Sequence, residues 1–415
     1  MEINQYFEHY PEQYHGAKRI IQTLQVANYE AYMVGGCIRD ALFGRPIKDI
    51  DIATNANLDQ VKKLFARTIE VGEAFNVCIV IENEISYEVA SLRYEGSYTD
   101  GRHPDLVRPG TLLEDAERRD FTINAIYYNP CNQQLIDLVG GIEDWQKGKL
   151  RAIGSPEERF EEDSLRLLRA VRLASQYKLQ MPRSTIQALQ DCKEGLGRIS
   201  AERIYQEINR MLTGKHPYEA LKLLHEIDLI EPLLKYFGAE EKATLLAPVE
   251  DFRRLHYVSQ VHAWTLWLRE IPKPRRHDIY NKLRFKNILK KQIEDLYNLL
   301  DLLLTPGNIE LADMHRIKST GLIADLAAIL RMKSSQAVYQ NAYRRLLAGF
   351  KQFNGREMNP KPILTGSKAM DLGCPKGPLL GQLLAKSYRK QLNEEILTED
   401  QAVTFTKDFL KLHES

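Results

Sequence analysis

The stretch MVGGCIRDALFGRPIKDIDIAT, residues 33–54, decides the fold that we expect for this protein. The apolar run Ala31–Val34 predicts a strand, and it leads directly into two glycines. Residues 37–43 follow with the composition of a short helix, and residues 48–52 predict a second strand. The order strand, Gly-Gly, helix, turn and strand is therefore the frame around which the chain is organised.

Two aspartates, Asp49 and Asp51, share one face of the second predicted strand, because side chains alternate along a strand. Ile50 and Ile52 then face the core. Two carboxylates held side by side repel each other, and a divalent cation removes that penalty. Hard ions such as Mg²⁺ bind carboxylate oxygens together with substrate phosphates. The pair therefore predicts a metal site, although an isolated DxD triplet is more often a solvated strand face.

Gly35 and Gly36 supply the complementary part of such a site. A backbone without side chains can approach a polyphosphate closely, and the start of a helix favours negative charge. With Arg39 and Asp40 in the intervening helix, the spacing is more specific than either motif alone. The combination predicts a site for a complex of a metal ion and a nucleoside triphosphate.

Composition limits the class of protein. With 415 residues, 44% of them hydrophobic and 27% charged, we expect two to four globular domains. A net charge of +1 means that RNA binding must come from a local basic surface. Five scattered cysteines predict reduced thiols and a cytoplasmic location. We find no apolar run typical of a signal peptide or a membrane span, so no membrane partner is expected.

Taken together, these motifs resemble the head of the class II tRNA nucleotidyltransferase and bacterial poly(A) polymerase family, part of the polymerase-β-like superfamily. The strings RRDFTINA at residues 118–125, EEDSLRLLRAVR at 161–172 and GPLLGQLL at 377–384 extend the resemblance. It implies an α+β fold, with a polymerase-β-like head of mixed sheet and helices and then an elongated all-α neck, body and tail. The implied domains are a catalytic head (1–140), a base-recognition neck (141–205), a helical body (206–355) and a helical tail that contacts tRNA (356–415).

The resemblance also implies roles for individual residues. Asp49 and Asp51 would be catalytic and would hold two Mg²⁺ ions, with Mn²⁺ as the alternative ion. Asp163 would accept a hydrogen bond from the exocyclic amino group of the base and Arg166 would donate to its ring acceptors, so that cytosine and adenine are selected without a nucleic-acid template. The full set of implied nucleotide-binding residues is Gly35, Gly36, Arg39, Arg119, Asp120, Asp163, Arg166, Arg169 and Arg172.

Several features keep two interpretations. Glu88 is either a third carboxylate of the metal site or a solvent-facing glutamate. The basic segment 273–291 is either an RNA contact or a solvated helix face. Residues 94–109 resemble the flexible loop that helps this family switch from C to A addition, or they form an ordinary surface loop. The residues that carry the loop resemblance are Arg93, Asp100, Arg102, Pro104 and Asp105.

The expected activity is template-independent addition of C, A or both to the 3′ end of tRNA, with CTP, ATP or both as substrates. The alternative is a bacterial poly(A) polymerase that adds A to RNA 3′ ends. Tyr127-Tyr128 favours the polymerase, whereas GPLLGQLL favours tRNA. Residues 71–77 match neither the GRRF-like string of the polymerases nor the string of many full CCA enzymes, so partial CC or A addition stays open. The sequence leaves the oligomeric state undetermined.

Overall fold

The computed structural model describes residues 3–70, 77–96, 98, 105–238, 241–255, 259–333 and 335–413. It divides into two compact units: Met1–Leu246 with Lys282–Arg284, and Ala247–Asn281 with Phe285–Ser415. Two parts of the sequence interpretation fall outside the described residues. They are the departure at residues 71–77, of which 71–76 are undescribed, and the loop residues Asp100, Arg102 and Pro104.

The first unit contains a mixed sheet, preceded and followed by helices. Its strands are β1 (Ala31–Val34), β2 (Asp51–Thr54), β3 (Thr68–Glu70), β4 (Val77–Glu82), β5 (Ile85–Ser91), β8 (Ile126–Asn129) and β9 (Gln134–Asp137). In the described residues they lie in the order β3-β4-β5-β2-β1-β8-β9. β2 and β5 are parallel, and the other neighbours are antiparallel. A separate two-stranded ribbon is formed by β6 (Arg93–Glu95) and β7 (Val107–Pro109).

Helices account for the rest of the regular structure. The first unit has α1 (Ile3–Phe7), α2 (Pro11–Val26), α3 (Gly36–Leu42), α4 (Leu58–Leu64), α5 (Leu112–Glu117), α6 (Gly141–Gln146), α7 (Pro156–Glu162), α8 (Leu165–Tyr177), α9 (Arg183–Asp191), α10 (Ala201–Leu212), α11 (Pro217–Glu226), α12 (Leu234–Phe237) and α13 (Lys242–Leu246). The second unit has α14 (Gln260–Trp267), α15 (Lys273–Lys282), α16 (Asn287–Leu304), α17 (Leu311–Ser319), α18 (Ile323–Met332), α19 (Ala337–Phe353), α20 (Gly366–Asp371), α21 (Pro378–Leu392) and α22 (Glu399–Lys411). The last residue of α15, Lys282, is the first of three residues that belong to the first unit. No strand follows Asp137 in the part of the chain that is described, which confirms the predicted α+β class. The described helices include none long and apolar enough to cross a membrane.

The central strands are buried on both faces, and alternate residues enter different hydrophobic cores, with Val34 and Ala53 in the second. Met33, Ile52 and Val89 lie in one hydrophobic core and are at most 2% exposed. Ile50 and Ile52 are both buried, as their alternation with the aspartates predicts. The same core receives the apolar side of α2. The predicted period of two is therefore the pattern that places this part of the chain in the sheet.

The second strand begins later than predicted, at Asp51 instead of residue 48. The cause is the register of the sheet, in which Asp51 pairs with Val34, the last residue of β1. Residues 48–50 extend past the end of β1. Asp49 consequently precedes the strand.

The segment 161–172, part of the all-α neck that the resemblance implies, is divided into two helices at Asp163. This residue has an extended backbone, with φ −143° and ψ 98°, between the end of α7 and the start of α8. Its Oδ1 accepts a hydrogen bond from the backbone N–H of Leu165 at 3.1 Å. Short acidic side chains compete with helical hydrogen bonding in this way and favour helix starts. Asp163 therefore marks a break between two helices.

The basic segment 273–291 places its aromatic residues inside the second unit. Tyr280 is fully buried and Phe285 is 4% exposed. Their ring centroids are 5.2 Å apart. Neither ring is available to stack on RNA bases, so an RNA contact here would depend on the exposed lysines and arginines alone.

We expect Gly141→Ala to destabilise the first unit by on the order of 2 kcal/mol, because a rigid neighbour must move to make room. A Cβ at Gly141 would lie 2.2 Å from the carbonyl oxygen of Thr122. Gly197→Ala is the matched control, since a Cβ there meets nothing within 4 Å. Urea denaturation measures both variants, and equal stability of the two would contradict the close packing of α6 on Thr122.

Candidate active site

The turn between β1 and α3 brings the backbone next to charged side chains. Gly35 has φ +79°, a conformation that residues with a Cβ rarely adopt. A Cβ on it would lie 3.6 Å from Arg119 Nη1 and 3.8 Å from Asp51 Oδ2. A Cβ on Gly36 would lie 3.6 Å from Arg39 Nη2. The two glycines thus line a place where two guanidinium groups and a carboxylate converge.

Asp51, the carboxylate beside this turn, has two further acids as neighbours. Asp51 on β2 is paired in register with Glu88 on the parallel strand β5. Burial raises the pKa of Asp51 to about 6, and the charges of Glu88 and Asp49 act in the same direction. Arg119 and Arg39 oppose this rise. Asp49 and Glu88 therefore both lie close enough to Asp51 to repel its charge.

The chemistry of this group fits a divalent cation. Among the described residues, no lysine or arginine forms an ion pair with Asp49, Asp51 or Glu88. No set of three or more His, Cys, Asp or Glu side chains in the described chain is arranged to enclose a metal ion. A cation bound by Asp49 and Asp51 would therefore need further oxygens from substrate phosphates or water. Mg²⁺ commonly completes its shell in that way.

Arg119 is held in place by a buried acid from α5. Its Nη2 donates to Asp115 Oδ2 at 2.9 Å, and its Nε donates to the hydroxyl of Tyr127 at 3.2 Å. The Tyr127 hydroxyl donates in turn to Asp115 at 2.7 Å. Burial alone would raise the pKa of Asp115, but Arg119 and Arg118 outweigh it and lower the pKa to about 2. Asp115 thus stays ionised and fixes Arg119 beside Gly35.

A chain of polar contacts runs from Arg39 to the neck helix. Arg39 Nη1 donates to Asn124 Oδ1 at 2.6 Å, and Asn124 Nδ2 donates to Asp120 Oδ1 at 2.9 Å. The other oxygen of Asp120 accepts from Arg169 Nε at 2.7 Å. Arg169 holds the pKa of the buried Asp120 carboxyl well below its usual range, although burial acts the other way. Both carboxylate oxygens of Asp120 consequently accept hydrogen bonds from protein donors, and the bond from Arg169 connects α8 to the segment that contains Asp120.

Asp163 and Arg166 lie near the start of α8 and both have protein partners. Asp163 Oδ2 accepts from Arg203 Nη2 at 2.7 Å. Arg166 Nη1 donates to Glu162 Oε2 at 2.6 Å and to the carbonyl of Arg159 at 3.0 Å. Arg166 Nη2 donates to the carbonyl of Arg118, in the RRD string, at 3.2 Å. Arg166 is therefore placed against Arg118, the neighbour of Arg119, whereas Asp163 is bonded to Leu165 and Arg203.

Arg172 belongs to a different group of contacts. Its Nε donates to Glu207 Oε2 on α10 at 2.6 Å, and Glu207 is buried. Its Nη1 donates to Gln176 at 3.3 Å. Of the predicted nucleotide-binding residues, Arg39, Asp120 and Arg169 are joined by hydrogen bonds through Asn124. Arg119 lies beside Gly35 with its own partners Asp115 and Tyr127, and Arg172 lies in the packing between α8 and α10.

Three residues that contact predicted site residues carry no sequence prediction: Asp115, Asn124 and Tyr177. Asn124 lies in the RRDFTINA string but receives no role there. Asn124 carried a weak signal, since a polar side chain inside an apolar string must find hydrogen bonds when it is buried. Tyr177 carried none, because its partners are far away in the sequence.

Known proteins match nearly the whole chain. A family model described as the poly A polymerase head domain matches residues 31–151, and one described as a probable RNA and SrmB- binding site of polymerase A matches residues 178–240. The CCA-adding enzyme of Lactiplantibacillus plantarum is 32% identical over 406 residues, which are 95% of this chain and 95% of the relative. This chain belongs to the CCA-adding enzyme family. The predicted resemblance is therefore confirmed.

Solved structures of CCA-adding enzymes agree. The Bacillus stearothermophilus CCA-adding enzyme in complex with CTP has a TM-score of 0.81 and 27% identity, covering 97% of this chain and 98% of that one. The Thermotoga maritima CCA-adding enzyme complexed with tRNA has a TM-score of 0.56 and 19% identity, covering 95% and 94%, and shares the fold alone. Membership of a nucleotidyltransferase family also implies the use of a divalent metal.

We expect Asp115→Asn to lower the free energy of unfolding by about 2 kcal/mol at pH 7, because a carboxyl whose pKa is lowered stabilises the folded state when ionised. This contribution is complete above the ordinary pKa of 3.8 and is lost as the pH falls through it toward about 2. Urea denaturation from pH 8 to pH 3.5 measures the difference between variant and parent.

The difference should be constant at neutral pH and shrink below about pH 4. A difference that grows as the pH falls would contradict the ion pairs assigned to Asp115. Glu117→Gln is the control, since Glu117 is an exposed acid on the same helix and forms no ion pair among the described residues.

Proposed function

We propose that this protein adds C, C and A in turn to the 3′ end of tRNA, using CTP and ATP without a nucleic-acid template. The observation that carries the proposal is the meeting of Asp51 with Arg119 at the Gly35 turn, where Glu88 is the strand partner of Asp51 and Asp49 acts on the same carboxyl. Acids that hold a metal and arginines that bind phosphate are the two parts needed for nucleotidyl transfer. Relatives named CCA-adding enzyme match the chain over nearly its full length, which favours the full CCA activity over poly(A) synthesis.

Asp49 and Asp51 would hold two Mg²⁺ ions. Bound there, the metal would supply a lowered pKa for the attacking 3′-hydroxyl and a positive charge beside the leaving pyrophosphate. Glu88 keeps the local field negative when the metal is absent and so favours its binding. It is an additional carboxylate of the same site in this proposal.

Arg39 and Arg119 would hold the triphosphate against the backbone of Gly35 and Gly36. A planar guanidinium group pairs with two phosphate oxygens at once, which fixes orientation as well as charge. The acid partners of these arginines prevent them from turning onto Asp51. Asp120 contributes by orienting Asn124 and Arg169 in this scheme, since its oxygens are already occupied.

Asp163 and Arg166 would select the base, with Arg169 and Arg172 as supports. An ionised carboxylate can accept about four hydrogen bonds, and each oxygen of Asp163 accepts one from the protein. A guanidinium group has five N–H donors, of which three are used by the contacts described for Arg166. Both side chains therefore keep capacity for a base that presents one amino donor beside one acceptor.

We propose that the chain has four domains with different roles. The head (1–140) and neck (141–205) would carry the chemistry, while the body (206–355) and tail (356–415) would contact tRNA. The match of residues 178–240 to an RNA-binding family model supports an RNA contact that begins in the neck. A cytoplasmic location fits five cysteines that are all free thiols.

The activity is tested with three RNAs: tRNA that lacks its CCA end, tRNA that ends in CC, and oligo(A), each with CTP or ATP and MgCl₂. We expect two C residues on the first RNA with CTP, one A on the second with ATP, and no extension of oligo(A). Asp49→Asn should reduce these rates roughly 1000-fold, because the metal loses a ligand.

Asp59→Asn is the matched control, since Asp59 is an exposed carboxylate on α4 and should leave the rates unchanged. Extension of oligo(A) by the parent protein would support the poly(A) polymerase instead. Addition of CC without A would indicate the partial activity, and undiminished rates in Asp49→Asn would refute the metal assignment.

Asp163→Ala should relax base choice more than it weakens triphosphate binding. A good base contact contributes ~1–3 kcal/mol, so discrimination against UTP should fall roughly tenfold to a hundredfold. Steady-state kinetics with CTP, ATP and UTP measure this. Glu161→Ala removes an exposed acid two residues earlier and is the control. Unchanged discrimination in Asp163→Ala would remove the residue from base selection.

A further inference from the structure

Tyr177, the last residue of α8, connects the neck helix back to α3. Its hydroxyl donates a hydrogen bond to Asp40 Oδ1. The same oxygen accepts from Arg39, whose Nε and Nη2 lie 3.2 Å and 3.0 Å away. Burial raises the pKa of Tyr177 to about 12, so the hydroxyl keeps its proton and remains a donor at neutral pH. The side chains of Tyr177 and Asp40 thereby connect α8 to Arg39.

This contact closes a circuit, because α8 also reaches Arg39 through Arg169. The second arm runs over Asp120 and Asn124, as described above. Tyr177 and Arg169 are eight residues apart on α8. Two points of the same helix are therefore connected to Arg39 by hydrogen bonds. The complete circuit consists of Tyr177, Asp40, Arg39, Asn124, Asp120 and Arg169.

The ring of Tyr177 adds a second kind of contact. The guanidinium carbons of Arg39 and Arg45 lie 4.6 Å and 4.1 Å from its centroid. Phe43 packs beside it with ring centroids 5.0 Å apart. Both guanidinium groups therefore contact this ring, and Arg39 is the one that also pairs with the carboxylate of Asp40.

We propose that Tyr177 is a positioning residue for the incoming triphosphate: through Asp40 it fixes the guanidinium of Arg39 relative to the helix that selects the base. The proposal rests on the function proposed above, in which Arg39 binds phosphate. Among the described residues, the polar and aromatic contacts of Tyr177 are with Asp40, Arg39, Arg45 and Phe43, and none is with Asp51. It acts through the direction in which Arg39 points.

The position of Tyr177 on α8 predicts how its loss will appear. Tyr177 follows Arg166 by eleven residues, about 16 Å along a helix at 1.5 Å per residue. Removal of its hydroxyl should therefore weaken the grip on the triphosphate, which CTP and ATP share. It should leave the choice between their bases unchanged.

The test is Tyr177→Phe, which removes the hydroxyl and keeps the ring. Tyr236→Phe is the matched control, since Tyr236 is buried in the same unit and donates to the carbonyl of Ile199 at 3.0 Å. Equilibrium binding of CTP and of ATP to the full-length chain is measured with MgCl₂ and without RNA. Steady-state KM and kcat are then measured on tRNA that ends in CC.

We expect the Kd of Tyr177→Phe to rise roughly tenfold for both nucleotides, the scale of one hydrogen bond to a charged group. The CTP to ATP ratio and kcat should stay within about threefold of the parent, because uniform loss of binding raises KM alone. Tyr236→Phe should bind like the parent. Parental affinity in Tyr177→Phe, a changed CTP to ATP ratio, or an equal loss in Tyr236→Phe would each overturn the inference.

Failure of the inference differs from failure of the proposed function. If the parent chain binds neither CTP nor ATP, the function itself is wrong. If the parent binds both and Tyr177→Phe binds equally well, the function stands and the positioning role falls.

Discussion

Repulsion between carboxylates is the constraint on which the rest of this site depends. The parallel pairing of β2 and β5 places Asp51 beside Glu88, and Asp49 adds a third charge. Arginines nearby could neutralise the group by forming ion pairs with it, and that would remove the attraction for a metal. Instead Arg119 pairs with Asp115 and Arg39 pairs with Asp40. Each arginine thus has its own acid, and the central carboxylates keep their negative field.

These ion pairs also explain how the neck helix is attached to the head. Buried charges are costly unless they are paired and fully hydrogen-bonded. Asp120 meets that requirement with the backbone N–H of Phe121, the amide of Asn124 and the guanidinium of Arg169. Removing one partner would leave an uncompensated charge, which is more harmful than never having had the pair. These hydrogen bonds therefore hold α8 in one orientation, whereas apolar packing alone would let the helix shift along its neighbours.

The sequence predicted those parts of the fold that depend on local pattern. The alternation of isoleucines and aspartates identified the strand and its buried face, and the two glycines identified the turn. Pairing between distant residues left no such signal. The register that sets Asp51 opposite Glu88, and the contact between Tyr177 and Asp40, both depend on the closed tertiary structure. The break at Asp163 was missed because helical periodicity continues through it.

The single parallel pairing has a consequence for the order of folding. In the described sheet β1 meets β2 through a short connection, but β2 meets β5 only after the chain has made α4, β3 and β4. The partners Asp51 and Glu88 are separated by that whole excursion, and closing so long a loop costs entropy before any contact repays it. A chain emerging from the ribosome would therefore possess Asp49 and Asp51 well before Glu88 joins them. The complete group of three carboxylates forms late in this fold, with the return of β5.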